Sequence, residues 1–118
     1  MPWVYDPHSG GTKLTPSNQA MFLHQANAFA ETRPWFSIFQ LKLRFQNQFC
    51  YVDAFKRNDE QLFPLCRLRY FRRNIWSMAF YTYSNERYEP CCFHNGTLEG
   101  SLEEAIEMCE MYLTEDAF

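Results

Sequence analysis

Three stretches of this chain alternate apolar and polar residues with a period of two. Residues 36–46 set Phe39, Leu41, Leu43 and Phe45 against Gln40, Lys42, Arg44 and Gln46. Residues 65–72 set Cys66, Leu68 and Tyr70 against Arg67, Arg69 and Phe71, and residues 75–83 set Trp76, Met78 and Phe80 against Ser77, Ala79, Tyr81 and Tyr83. Successive side chains of a strand point to opposite faces, so this period describes half-buried strands. Three such strands share one apolar face, and an apolar sheet face has to be covered by another layer.

Two amphipathic segments flank the strands and supply that layer. Thr15-Pro16 reads as a helix cap followed by proline at the first helical position. Phe22, Ala26, Phe29 and Ala30 then recur at helical spacing, which predicts a helix over 16–32 that Pro34 ends. Near the other end, Ser101-Leu102-Glu103-Glu104 is a capping box. Leu102, Ala105, Ile106, Cys109 and Leu113 follow on one helical face, and the early glutamates complement the helix dipole. Between the helices, Asn47-Gln48 and Arg73-Asn74 read as turns, 48–56 as a hairpin partner strand and 57–64 as a loop. A short fifth strand is expected near 88–93, before the His94-Asn95-Gly96-Thr97 turn. The expected fold is α+β: a single antiparallel meander of four or five strands, with an N-terminal and a C-terminal helix packed on one face. One domain spans 1–118, with 1–14 irregular. A chain of this length buries roughly two-thirds of its unfolded surface, enough for a core without metals or disulfides.

Composition narrows the class further. No stretch is apolar enough to span a bilayer, and the N-terminus lacks the charged and apolar regions of a secretory signal. Cys50, Cys66, Cys91, Cys92 and Cys109 are odd in number and lack both a framework spacing and a C-x-x-C pair. They read as reduced thiols of a cytoplasmic protein, with Cys50, Cys66 and Cys109 mostly buried. The adjacent Cys91-Cys92 pair is the one place where a vicinal disulfide or a soft metal would fit. Charge is divided along the chain: residues 33–87 carry a net +6 and residues 88–118 a net −8.

Several strings resemble those of a group of short bacterial proteins of unassigned function. These are Trp3-Val4-Tyr5-Asp6-Pro7-His8-Ser9-Gly10-Gly11, Phe49-Cys50-Tyr51-Val52-Asp53, the run 65–71, the run 76–85 and Tyr88 to Gly96. The resemblance implies a bacterial, phage or plasmid origin and transfers no functional residue.

Three constellations could carry function. The polar side of the strands displays Lys42, Arg44, Arg67, Arg69, Phe71, Tyr81 and Tyr83, a mixture of cations and rings. Such a face suits an acidic protein surface, or single-stranded nucleic acid through phosphate contacts and base stacking. It also suits plain cross-strand pairing, with arginine stems lying on tyrosine rings. Asp6 and His8, completed by His94 or Asp53, could form a metal-dependent nuclease or hydrolase site, although turns use the same residues for backbone reasons. Asp53 inside a strand needs a partner if buried, and Arg44, Arg67 or Arg69 could supply it; a catalytic acid is the sharper alternative. His24 falls on the polar side of the first helix. No Gly-rich phosphate loop, nucleophile elbow or H-E-x-x-H occurs, and no cofactor is implied. The sequence therefore reads first as a non-enzymatic binding module, monomeric or weakly dimeric. A small enzyme centred on Asp6, His8 and Asp53 is the second reading. A phage-type inhibitor of a host enzyme is the third.

Overall fold

The structure is a computed structural model that describes residues 10–114; Asp6 and His8 lie outside the described residues. Helix α1 spans Pro16–Glu31, and a 3-10 turn follows at Pro34–Ser37. The strands are β1 (Phe39–Gln46), β2 (Phe49–Lys56), β3 (Phe63–Arg72), β4 (Ile75–Thr82) and β5 (Arg87–Cys91). Helix α2 spans Leu102–Met108 and tightens into a second 3-10 turn at Cys109–Tyr112. The sheet order is β1-β2-β3-β4-β5, every neighbour antiparallel. This is the α+β meander that the alternation predicts.

Both caps form as read. Thr15 Oγ1 accepts from the Asn18 amide at 3.1 Å, and Ser101 Oγ accepts from the Glu104 amide at 3.1 Å. Glu104 closes the box by accepting from the Ser101 amide at 2.9 Å. Each bond satisfies a helical N–H that has no partner within its own helix.

One core joins the sheet to both helices. Phe39 and Leu41, Cys50, Val52 and Ala54, Cys66, Leu68 and Tyr70, and Trp76 and Met78 form the inner face. Phe22, Ala26 and Ala30 of α1 and Leu102, Ala105, Ile106 and Cys109 of the C-terminal helix pack into the same cluster, so both helices cover one side. Its aromatic centre is Phe22, Tyr70 and Trp76, with centroids 5.4, 4.9 and 4.8 Å apart. Trp76 donates its indole N–H to Asn74 Oδ1 at 2.9 Å, and the same oxygen accepts from the Leu102 amide at 3.0 Å. A β-turn asparagine thus fastens β4 to the start of α2.

Some boundaries differ from the sequence expectation. β1 starts at Phe39 rather than residue 36, because Pro34 begins a 3-10 turn that buries Trp35. β3 starts at Phe63 and includes Pro64, which precedes a bulge where Leu65 has no opposite residue. Proline lacks the ladder N–H, and a bulge is one of the few sheet positions that tolerates it. β4 ends at Thr82, so Tyr83 belongs to the following turn. Phe80 is half-buried against the Tyr112 ring rather than central in the core.

Arg33, Trp35 and Glu110 tie the two ends together. Arg33 binds Glu110 with Nε and NH2 at 2.7 Å each, and the Trp35 indole donates to Glu110 at 2.5 Å. Burial pushes the Glu110 carboxyl up, but the bonds from Arg33 and Trp35 outweigh it and hold the carboxyl below its ordinary value. A carboxyl depressed on folding stabilises the fold above the unfolded value and stops doing so as pH falls through the folded one. The melting-temperature gap between wild type and Glu110→Gln should therefore be full at pH 7 and close below about pH 4. A gap unchanged between pH 7 and pH 3 would exclude an ionic contribution.

All five cysteines are free: Cys50, Cys66 and Cys109 are buried, Cys91 is half-buried and Cys92 is exposed. Burial raises the Cys50 thiol. Hydrogen bonding to Cys109 and then burial raise Cys66, while burial lifts Cys91 to about 11. The thiolate is the reactive form, so these shifts and poor access act together. Thiol titration of the native protein should find Cys92 fast, Cys91 slow, and the other three only in denaturant. Rapid reaction of all five in the folded state would contradict the buried assignment.

Candidate functional site: the uncovered sheet face

The face opposite the helices is set by strand register. The tight Asn47-Gln48 turn pairs Gln46 with Phe49, which places Phe49, Tyr51 and Asp53 on the same side as Arg44 and Lys42. Arg67 and Arg69 face this side because they pair with Tyr51 and Phe49. Ser77 and Ala79 pair with Arg69 and Arg67, and Tyr81 pairs with Tyr88 across β4 and β5. A second bulge leaves Phe71 without an opposite residue; its carbonyl accepts from Thr12 Oγ1 at 2.7 Å.

The arginines on this face lie over aromatic rings. The Arg44 guanidinium lies 4.7 Å from the Tyr51 ring centroid. Arg67 lies 5.0 Å from Phe49 and 5.5 Å from Tyr88, and Arg69 lies 4.7 Å from Phe49. Arg69 also donates to the Gly10 carbonyl at 2.8 Å, where the chain approaches the sheet. That approach requires Gly11: its φ is +104°, and a Cβ there would sit 2.8 Å from the Tyr70 carbonyl oxygen.

The tyrosines form a connected, edge-on cluster. Tyr88 meets Tyr51 at 5.7 Å and Tyr81 at 5.2 Å, and Tyr81 meets Tyr83 at 4.9 Å. Tyr83 continues to Tyr112 at 5.6 Å and donates its hydroxyl to the Pro64 carbonyl at 2.5 Å. Burial, and then the charge of Asp53, push the Tyr88 phenol up to about 12, with Arg44 opposing; burial also raises Tyr83.

Asp53 lies within this cluster and is only 5% exposed. Its Oδ2 accepts from Arg44 Nε at 2.9 Å. Arg44 is therefore the partner among the three arginines anticipated, and it reaches diagonally, because Lys42 is the residue directly opposite Asp53. Asp53 Oδ1 is buried and has no hydrogen-bond partner among the described residues.

The structure brings Lys42, Arg44, Arg67, Arg69 and Tyr81 onto one face with Asp53, and places Tyr83 at its rim. Phe49, Tyr51 and Tyr88 complete the face. The first two were legible from the two-residue turn, which fixes hairpin register. Tyr88 was not, since β5 is too short to show alternation. Among the described residues no three His, Cys, Asp or Glu side chains gather as metal ligands. His24 and His94 are both exposed. No described helix is long and apolar enough to cross a membrane. Comparison with family models, curated proteins and solved structures finds no match to this chain.

Proposed function

We propose that this protein is a non-catalytic binding module whose uncovered sheet face docks on an acidic protein surface. The observation that carries the reading is the state of the rings. Phe49, Tyr51 and Tyr88 each have a guanidinium over them, and the tyrosines meet edge-on. Ring faces that nucleobases would need are thus already engaged, which favours a protein partner over single-stranded nucleic acid. Guanidiniums already held over rings lose less freedom on binding, and their planar forks match carboxylates bidentately. Tyrosine and arginine are also the residues that dominate protein interfaces energetically. The free thiols fit a reducing, cytoplasmic setting. The module acts as a monomer or weak homodimer in this reading.

The test compares a labelled glutamate-rich peptide with a single-stranded oligonucleotide of equal charge, by fluorescence anisotropy across a salt series. The peptide is expected to bind at least as tightly as the oligonucleotide, and to weaken as salt rises. Tighter oligonucleotide binding accompanied by quenching of tyrosine fluorescence would transfer the face to nucleic acid.

A further inference from the structure

The orphaned oxygen of Asp53 marks one position on the docking face that a carboxylate cannot fill. An acidic partner meets the cations Lys42, Arg44, Arg67 and Arg69 on this face, but at Asp53 it meets an acceptor. Two buried side-chain oxygens lack partners among the described residues, Asp53 Oδ1 and Gln25 Oε1. Gln25 belongs to α1, on the other side of the sheet. Only Asp53 lies on the uncovered face, and it is the one that carries charge. A buried acceptor without a donor forfeits its hydration and gains nothing in return, so a donor supplied by a ligand is strongly favoured there.

The surroundings select the donor. Arg44 already occupies Oδ2, Lys42 stands directly opposite in register, and Arg67 lies on the next strand over Tyr88. An incoming ammonium or guanidinium would meet these cations, so the donor is uncharged. Oδ1 is recessed, so the donor is also small. Tyr83 stands beside this position, near enough that, after burial, the Asp53 charge helps raise its phenol. It is the first residue past β4, 36% exposed, and its hydroxyl bonds to Pro64, the residue opposite Asp53. A sheet bulge lies immediately beside this pair, at Leu65, and bulges are common where a strand re-aims side chains next to a site.

We propose that Asp53 accepts a hydrogen bond from a serine or threonine hydroxyl presented within an acidic segment of the partner. This rests on the docking reading and adds a required residue type at the centre of the acidic segment.

Three glutamate-rich peptides that differ only in a central serine, alanine or lysine separate the possibilities by anisotropy. On wild-type protein the serine peptide should bind roughly tenfold tighter than the alanine peptide, and the lysine peptide should not exceed serine. In Asp53→Val the serine-to-alanine ratio should collapse to about one, whatever happens to overall affinity. Equal binding of serine and alanine peptides to wild type overturns the inference and leaves the docking reading standing. A ratio that survives in Asp53→Val also overturns it, and tightest binding of the lysine peptide assigns the position to a cation instead. If none of the acidic peptides binds, the docking reading falls and this inference falls with it. Should Asp53→Val fail to fold by circular dichroism, the wild-type ratio alone decides.

Discussion

Replacing Trp76 with alanine should lower the melting temperature by about 10–20 °C, the largest effect of any single substitution considered for this protein. Trp76 is fully buried and touches the Phe22 and Tyr70 rings. Truncating a buried tryptophan removes its transfer energy and leaves a cavity, together costing about 3–5 kcal/mol. The loss goes beyond volume. Without the indole, Asn74 keeps only the Leu102 amide on its oxygen, and the tie between β4 and α2 weakens. Phe80→Ala is the natural comparison, because Phe80 lies on the same strand and the same face but is half-buried. Thermal melts should rank Trp76→Ala well below Phe80→Ala. Equal losses would show that the aromatic centre is not where the core is held.

Removing Lys42 and Arg67 together should weaken binding of an acidic peptide by roughly 30–100-fold at low salt while moving the melting temperature by no more than about 2 °C. These two are chosen because of what the other cations do within the fold. Arg44 is paired with buried Asp53, and Arg69 holds the Gly10 carbonyl. Alanine at either would mix binding with stability. Lys42 is exposed, and half-buried Arg67 stacks on Phe49 and Tyr88 among the described residues. Surface changes of that kind stay within about 0.5 kcal/mol of stability. Their charges, by contrast, would be desolvated against partner carboxylates, where charge-assisted bonds are strongest. An affinity unchanged by the double substitution would place the docking surface elsewhere, and a large drop in melting temperature would make Arg67 structural.

The sequence carried the architecture because the meander is written locally. Alternation in 39–46, 66–70 and 76–80 assigned faces, and the two capping motifs set where the helices begin. What it left out depended on register or on distant contacts. The burial of Trp35 in a 3-10 turn comes from Glu110, far along the chain, and no local pattern announces that pairing. The bulges at Leu65 and Phe71 insert single residues that periodicity reads as noise. The same limit applies to the candidate site. Lys42, Arg44, Arg67, Arg69 and Tyr81 were assigned to one face by alternation alone. Tyr88 joined them only through the β4–β5 register, and the choice of Arg44 for Asp53 is a diagonal contact across two strands. Asp6 and His8 lie outside the described residues.

The order of the strands also dictates the order in which the chain finds its partners. Every strand pairs with the next one along, so the sheet can assemble by successive short hairpins with little loss of chain entropy. The helices are different: α1 and α2 come from opposite ends, and the Arg33–Glu110 contact spans 77 positions. Docking of both helices is expected to follow the hairpins, and until it is complete part of the sheet's apolar side is bare. Refolding should therefore be a contest between closure and collision with other chains. Refolding yield after dilution from denaturant should fall as protein concentration rises, and Phe22→Ala, which weakens the lid from the α1 side, should deepen that fall. A yield independent of concentration would mean that the ends meet before the sheet is complete.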